Sequence, residues 1–166
     1  MWKSCRQEFG DNARVDFQIL GSFVSALRHP VPVEQRLVAY MVTNPAEKHH
    51  VLASILRSFG YQVCERFMKH SKGMLKPMST DWDVGITIDA IDKIDTYDTF
   101  VLASGDGDFV QLLEYLRAKG KRTIVLSFKK TTARLLYSTA DELHVLEESI
   151  VFRPNGKGSE KNGTSS

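Results

Sequence analysis

The chain has 166 residues, 42% of them hydrophobic and 10% aromatic, enough for one domain with a true core and too few for two domains of ordinary size. Its formal charge is +2, but the stretch 153–166 holds three basic residues and one acid, so 1–152 carries 19 charges of each sign and global charge argues neither for nor against a nucleic-acid partner. Cys5 and Cys64 match no zinc spacing and read as free thiols of a reducing compartment. With no apolar run near the roughly 18 residues of a membrane span and no basic-then-apolar leader, the expected location is the cytoplasm, away from membranes.

In chain order, residues 1–9 and 15–27 read as helices and residues 36–42 as a short apolar strand. Asn44, Pro45 and Glu47 carry the marks of a helix start: a cap, a first-turn proline and the closing acid of a capping box. Val51, Leu52, Ile55, Leu56 and Phe59 then recur at helical spacing up to Gly60, a natural stop. A second strand follows at 61–67. Residues 68–80 have no period but contain Lys69, Lys72 and Lys76, and read as a long basic loop or an irregular hairpin.

Strands at 99–103, 123–127 and 143–146 alternate with helical patterns, the clearest being Phe109, Leu112, Leu113 and Leu116 before Lys119-Gly120. Continuously apolar strands alternating with helices imply a mostly parallel sheet covered on both sides, with 99–103 near its middle. From Asn155 onward the composition supports no core, so the expected division is a domain over 1–152 and a disordered tail over 153–166.

Two stretches carry chemistry. Ser104-Gly105-Asp106-Gly107-Asp108-Phe109 lies between an apolar strand and an amphipathic helix, at the carboxyl end of a strand, where open parallel sheets bind ligands. Two carboxylates one residue apart can converge on a hard cation. The same residues also suit plain structure: Asp108 with Gln111 fits a helix cap, and Asp106 favours a turn. Asp81-Trp82-Asp83-Val84-Gly85 opens another helix, whose dipole welcomes acids. That helix is apolar on most sides, which argues for burial and for a carboxylate delivered to a pocket. The expectation is that Asp83, Asp106 and Asp108 meet within roughly 4–8 Å.

Other signals in the chain are weaker. His49 and His50 cannot share a helix face and read as solvent-exposed. Residues 105–110 begin like a dinucleotide fingerprint but lack its third glycine and follow a late strand, which excludes that reading. Lys129, Lys130 and Arg134 could face a phosphate backbone or simply solvate a helix start.

Taken together, Asp81-Trp-Asp-Val-Gly-Ile-Thr-Ile-Asp-Ala-Ile91, Tyr97-Asp-Thr-Phe-Val-Leu-Ala-Ser-Gly-Asp-Gly-Asp-Phe-Val110 and Leu116-Arg-Ala-Lys-Gly-Lys-Arg122 resemble the NYN domain, and within it the LabA-like group of the PIN-like nuclease superfamily. The resemblance implies a three-layer Rossmann-like (PIN-like) α/β domain with a mostly parallel sheet. It also implies a ribonuclease site dependent on Mg²⁺ or Mn²⁺, with Asp83, Asp106 and Asp108 on the metal-binding and catalytic acids and Ser104 on a substrate-binding hydroxyl. Lys69, Lys72 and Lys76 would position an RNA backbone. A homodimer is compatible with this reading.

One departure stands out. Such domains begin with a strand ending in an Asp-Gly-x-Asn type motif that supplies a principal metal ligand, whereas Met1-Trp-Lys-Ser-Cys5 already looks like the following helix. The expected first strand is missing from this chain, and a catalytically weak module that binds RNA or a protein partner in regulation is the rival to the enzyme.

Overall fold

In a computed structural model of the protein, residues 1–27, 34–43, 49–67 and 82–154 are described. The elements run α1 (Trp2–Phe9), β1 (Arg14–Val15), α2 (Phe17–Ala26), β2 (Val38–Thr43), α3 (His49–Ser58), β3 (Gln62–Phe67), α4 (Asp83–Asp92), β4 (Thr99–Leu102), α5 (Val110–Ala118), β5 (Arg122–Ser127), α6 (Leu136–Thr139), β6 (Glu142–Val145) and β7 (Val151–Phe152). The architecture is α/β with parallel strands, as expected. β2 pairs with β3 in parallel, and β4, β5 and β6 form a second parallel group in that order.

The layers can be read from β5. Five of its six residues are buried, and they alternate: Ile124 and Leu126 pack with Cys5, Val15, Leu20 and Phe128 under α1 and α2, whereas Val125 packs with Leu112, Leu113, Leu116 and Leu136 of α5 and α6. Successive side chains of a strand point to opposite faces, so one strand serves two cores and the domain has three layers. α2 starts where Asp16 accepts the amides of Gln18 and Ile19 at 3.0 Å, and α3 ends before Gly60, whose φ of +86° favours glycine.

Three local expectations change. The middle strand of its group is β5, not 99–103, which forms β4 at the end of the group. The helix at 15–27 is shortened by β1, a two-residue strand paired antiparallel with β7; two residues are too short to announce themselves by alternation. α4 is not buried as its composition suggested: Val84, Ile88 and Ile91 are exposed, while Asp83, Ile86, Asp89 and Ala90 face a cavity. The helix start at 44–47, the basic loop at 68–80 and the tail from 155 lie outside the described residues, as do the side chains of His49 and His50. Cys5 and Cys64 are free thiols. No described helix is long and apolar enough to cross a membrane.

Candidate metal centre

The acidic cluster is built from two segments more than twenty positions apart in sequence. β4 leads through Ala103 into Ser104, whose hydroxyl accepts the Asp106 amide at 3.2 Å, and the Asp106 carboxylate accepts the Asp108 amide at 3.1 Å. These bonds turn the chain into a short 3-10 turn over Gly107–Phe109 that runs straight into α5. The capping role expected of Asp108 therefore belongs to Asp106. α5 has no side-chain cap, and the Asp108 carboxylate forms no hydrogen bond or ion pair among the described residues.

Gly105 is required by a close approach. A Cβ there would lie 2.4 Å from the Thr131 carbonyl oxygen, and the Gly105 carbonyl accepts the Ala133 amide at 2.8 Å. The loop after β5 is thereby pressed against the loop after β4. Phe109, 2% exposed, anchors the far side of the turn in the core shared with α5.

Asp83 arrives as the first residue of α4, and its placement is fixed by Trp82. The indole N–H donates to the Met41 carbonyl of β2 at 2.9 Å; Tyr40 packs against the ring at 5.2 Å between centroids, and the Arg66 guanidinium lies 3.9 Å over it. Gly85 leaves room for that ring, since a Cβ would come 2.7 Å from it. Further along α4, the Tyr40 hydroxyl donates to Asp89 at 2.6 Å and Lys93 pairs with the same carboxylate at 3.0 Å. The Tyr40 bond, with Lys93, holds the Asp89 carboxyl below its usual range, while burial and the Asp89 bond push the Tyr40 phenol well up.

As a result, one carboxylate oxygen from each of Asp83, Asp106 and Asp108 falls within 4.8 Å of the others; Asp83 is half-buried and the other two are exposed. Opposite ligands of a Mg²⁺ ion stand roughly 4.2 Å apart, from metal–oxygen distances of 2.0–2.1 Å, so the three carboxylates would fit around one small divalent ion. The donor set is all carboxylate, which suits a hard cation.

Lys69, Lys72 and Lys76 lie outside the described residues. Lys130 is occupied elsewhere: its amide donates to the Glu8 carboxylate at 2.7 Å and its Nζ to the Glu8 carbonyl at 3.2 Å, fastening the loop after β5 to α1. Sequence reasoning missed Trp82, Tyr40 and Asp89. The tryptophan between two acids, and the second Asp of the same element, were the available signals.

The NYN domain family matches residues 7–147. The chain is 37% identical over 90 residues to the low amplitude and bright protein LabA of Synechococcus elongatus, a stretch covering 52% of this chain and 48% of that protein, so it spans about half the length of this curated relative. Its fold is similar to the crystal structure of a protein of unknown function from Vibrio parahaemolyticus, with a TM-score of 0.75 and 26% identity over 91% of this chain and 89% of that one. With the family matching most of its length, including both acid-bearing segments, the chain belongs to the NYN domain family.

Proposed function

We propose that this protein is a Mg²⁺- or Mn²⁺-dependent endoribonuclease of the NYN type, with Asp83, Asp106 and Asp108 holding the metal. The observation that carries the reading is the convergence of three carboxylates from two separate segments just past the carboxyl end of β4. Kinship of NYN domains with PIN-like nucleases supports an RNA-related role. A bound divalent ion supplies Lewis acidity toward a phosphate oxygen and lowers the pKa of water.

The chain's own groups complete the site in this reading. The Ser104 oxygen is engaged by the Asp106 amide, which leaves its O–H to donate to a phosphate oxygen. Lys69, Lys72 and Lys76 hold the RNA backbone without reading its sequence. The proposed location is the cytoplasm, and the exposed stripe Val84, Ile88 and Ile91 of α4 offers a surface on which two copies could pair.

The test uses two substitutions. Asp106→Asn keeps an oxygen that can accept the Asp108 amide but removes the charge. It should therefore fold normally, lose Mn²⁺-dependent cleavage of single-stranded RNA by at least about 100-fold, and lose the metal-induced rise in melting temperature. Asp108→Ser disturbs no cap and should lose cleavage too. Full cleavage by both variants would assign the cluster to structure. Absence of cleavage by the unaltered protein, with RNA still bound, would favour the regulatory module.

A further inference from the structure

The loop after β5 is braced at three points. Lys130 bonds Glu8 of α1, the Ala133 amide donates to the Gly105 carbonyl at 2.8 Å, and the Thr132 hydroxyl meets that of Ser127 at 2.8 Å. Beyond them the amides of Leu136, Tyr137 and Ser138 donate to the carbonyls of Ala133, Arg134 and Leu135, at 3.1, 3.3 and 3.2 Å. Bonds between residues three apart make 3-10 geometry, in which side chains three apart eclipse one another. The segment entering α6 therefore has three faces, each carrying one pair of side chains.

The pair Ala133 and Leu136 faces inward: Leu136 is fully buried and Ala133 packs on the core shared with α5. A Cβ on Gly107, between Asp106 and Asp108, would lie 3.1 Å from the Ala133 Cβ, so this segment abuts the acidic turn. Arg134 and Tyr137 form the second face, Leu135 and Ser138 the third. Arg134 is exposed and Tyr137 is 51% exposed. Among the described residues, neither of these two side chains has a hydrogen bond, an ion pair or a ring contact. Arg117 and Arg122, by contrast, are both paired with carboxylates. A cation and a planar ring thus stand side by side on a braced frame next to three carboxylates, with no internal partner for either.

We infer that Arg134 and Tyr137 form a subsite for one nucleotide of single-stranded RNA beside the acidic cluster, the guanidinium holding its phosphate and the ring stacking on its base. The choice of RNA rests on the ribonuclease reading. A guanidinium is always ionised and forks onto phosphate oxygens through two parallel N–H bonds. Three carboxylates repel a phosphate backbone, and a fixed cation beside them offsets that repulsion. The ring favours an unpaired base, because splayed bases stack on aromatic side chains while those in a duplex stack on one another.

Fluorescence polarisation of a short labelled single-stranded RNA, in EDTA and again in Ca²⁺, reads binding apart from Mn²⁺-dependent cleavage. Tyr137→Ala should weaken binding about tenfold and Tyr137→Phe less than about twofold, and neither should alter binding of the same sequence as a duplex. Arg134→Ala should also weaken binding about tenfold and lower the slope of log affinity against log salt by roughly 0.7, the share of one phosphate contact on a single strand. Both side chains are exposed, so thermal melting should match the parent's. Leu135→Ala, on the third face, should bind RNA as the parent does.

Parental affinity in Tyr137→Ala and Arg134→Ala would overturn the inference, even in a protein that cleaves RNA. The stated losses without any Mn²⁺-dependent cleavage would uphold the subsite and remove only the ribonuclease reading. Absence of RNA binding by the unaltered protein in both conditions would overturn it, as would a Leu135→Ala variant that loses self-association while RNA affinity stays constant in all variants, since the face would then belong to a second copy.

Discussion

β5 and β2 are both six-residue parallel strands, yet five residues of β5 are buried and only Thr43 of β2 is. Their sequences, Arg-Thr-Ile-Val-Leu-Ser and Val-Ala-Tyr-Met-Val-Thr, are similarly rich in strand formers. The difference therefore comes from position. β5 has a neighbour on each edge and a helical layer on each face, whereas β2 has β3 on one edge and the cavity on the other. Intrinsic strand preference places a strand, and its neighbours decide how much it buries.

The largest effect should separate the two halves by stability. Leu113 is fully buried against the α6 side of β5, so Leu113→Ala should cost about 2–5 kcal/mol. Val38 in β2 is only half-buried, and Val38→Ala should cost less than about 1 kcal/mol. Urea unfolding followed by circular dichroism measures both; equal losses would mean that β2 is as tightly enclosed in solution as β5.

Next comes the hinge of the acidic cluster. Gly105→Ala sets a methyl 2.4 Å from a backbone oxygen, where no side-chain rotation relieves it. A loss of about 1–3 kcal/mol should follow, with the loop after β5 displaced from the Asp106 turn. Were this variant as stable as the parent and unchanged in metal binding, the two loops would not be pressed together as described.

The contrast also explains what was legible in the sequence. α5 and β5 stood out because full burial forces continuous apolar patterning, as in Leu112, Leu113 and Leu116. Asp83, Asp106 and Asp108 could be grouped because each sits at the start of a turn or helix beside a recognisable motif. What escaped depends on partners far away in sequence. The exposure of Val84 and Ile88 could not be foreseen from α4's composition, and it is the extended Asp106 rather than Asp108 that caps the turn, through the Asp108 amide. Tyr40 and Trp82 became positioning residues only when β2 met α4, 41 positions apart at the Trp82–Met41 bond.

Alkaline pH offers a smaller probe of the β2 side. Tyr61 donates to the Phe17 carbonyl at 2.8 Å, and burial pushes its phenol up to about 12. Because the folded value lies above the unfolded one, the contribution is complete below pH ~10 and fades as pH climbs toward 12. Melting temperature followed from pH 8 to 12 should fall less steeply in Tyr61→Phe, even though that variant is somewhat less stable at pH 8.

The smallest expected effect concerns the tie between β2 and α4. Asp89 is pulled below its ordinary pKa first by the Tyr40 hydroxyl and then by Lys93. A carboxylate with a depressed folded value stabilises above the unfolded pKa of ~3.9, and the benefit disappears as pH falls through the folded value. The group is about a third exposed, with a side-chain exposure of 35%, so solvent screens much of the interaction. Tyr40→Phe removes the donor while keeping the ring that packs on Trp82. At pH 7 the variant should melt a few degrees below the parent, in line with roughly 0.5–1.5 kcal/mol for one hydrogen bond, and the gap should close once Asp89 is protonated in both states. A gap that persists undiminished at pH 2 would show that Tyr40 stabilises the β2 side by packing alone, leaving α4 and its Asp83 held to β2 chiefly through Trp82.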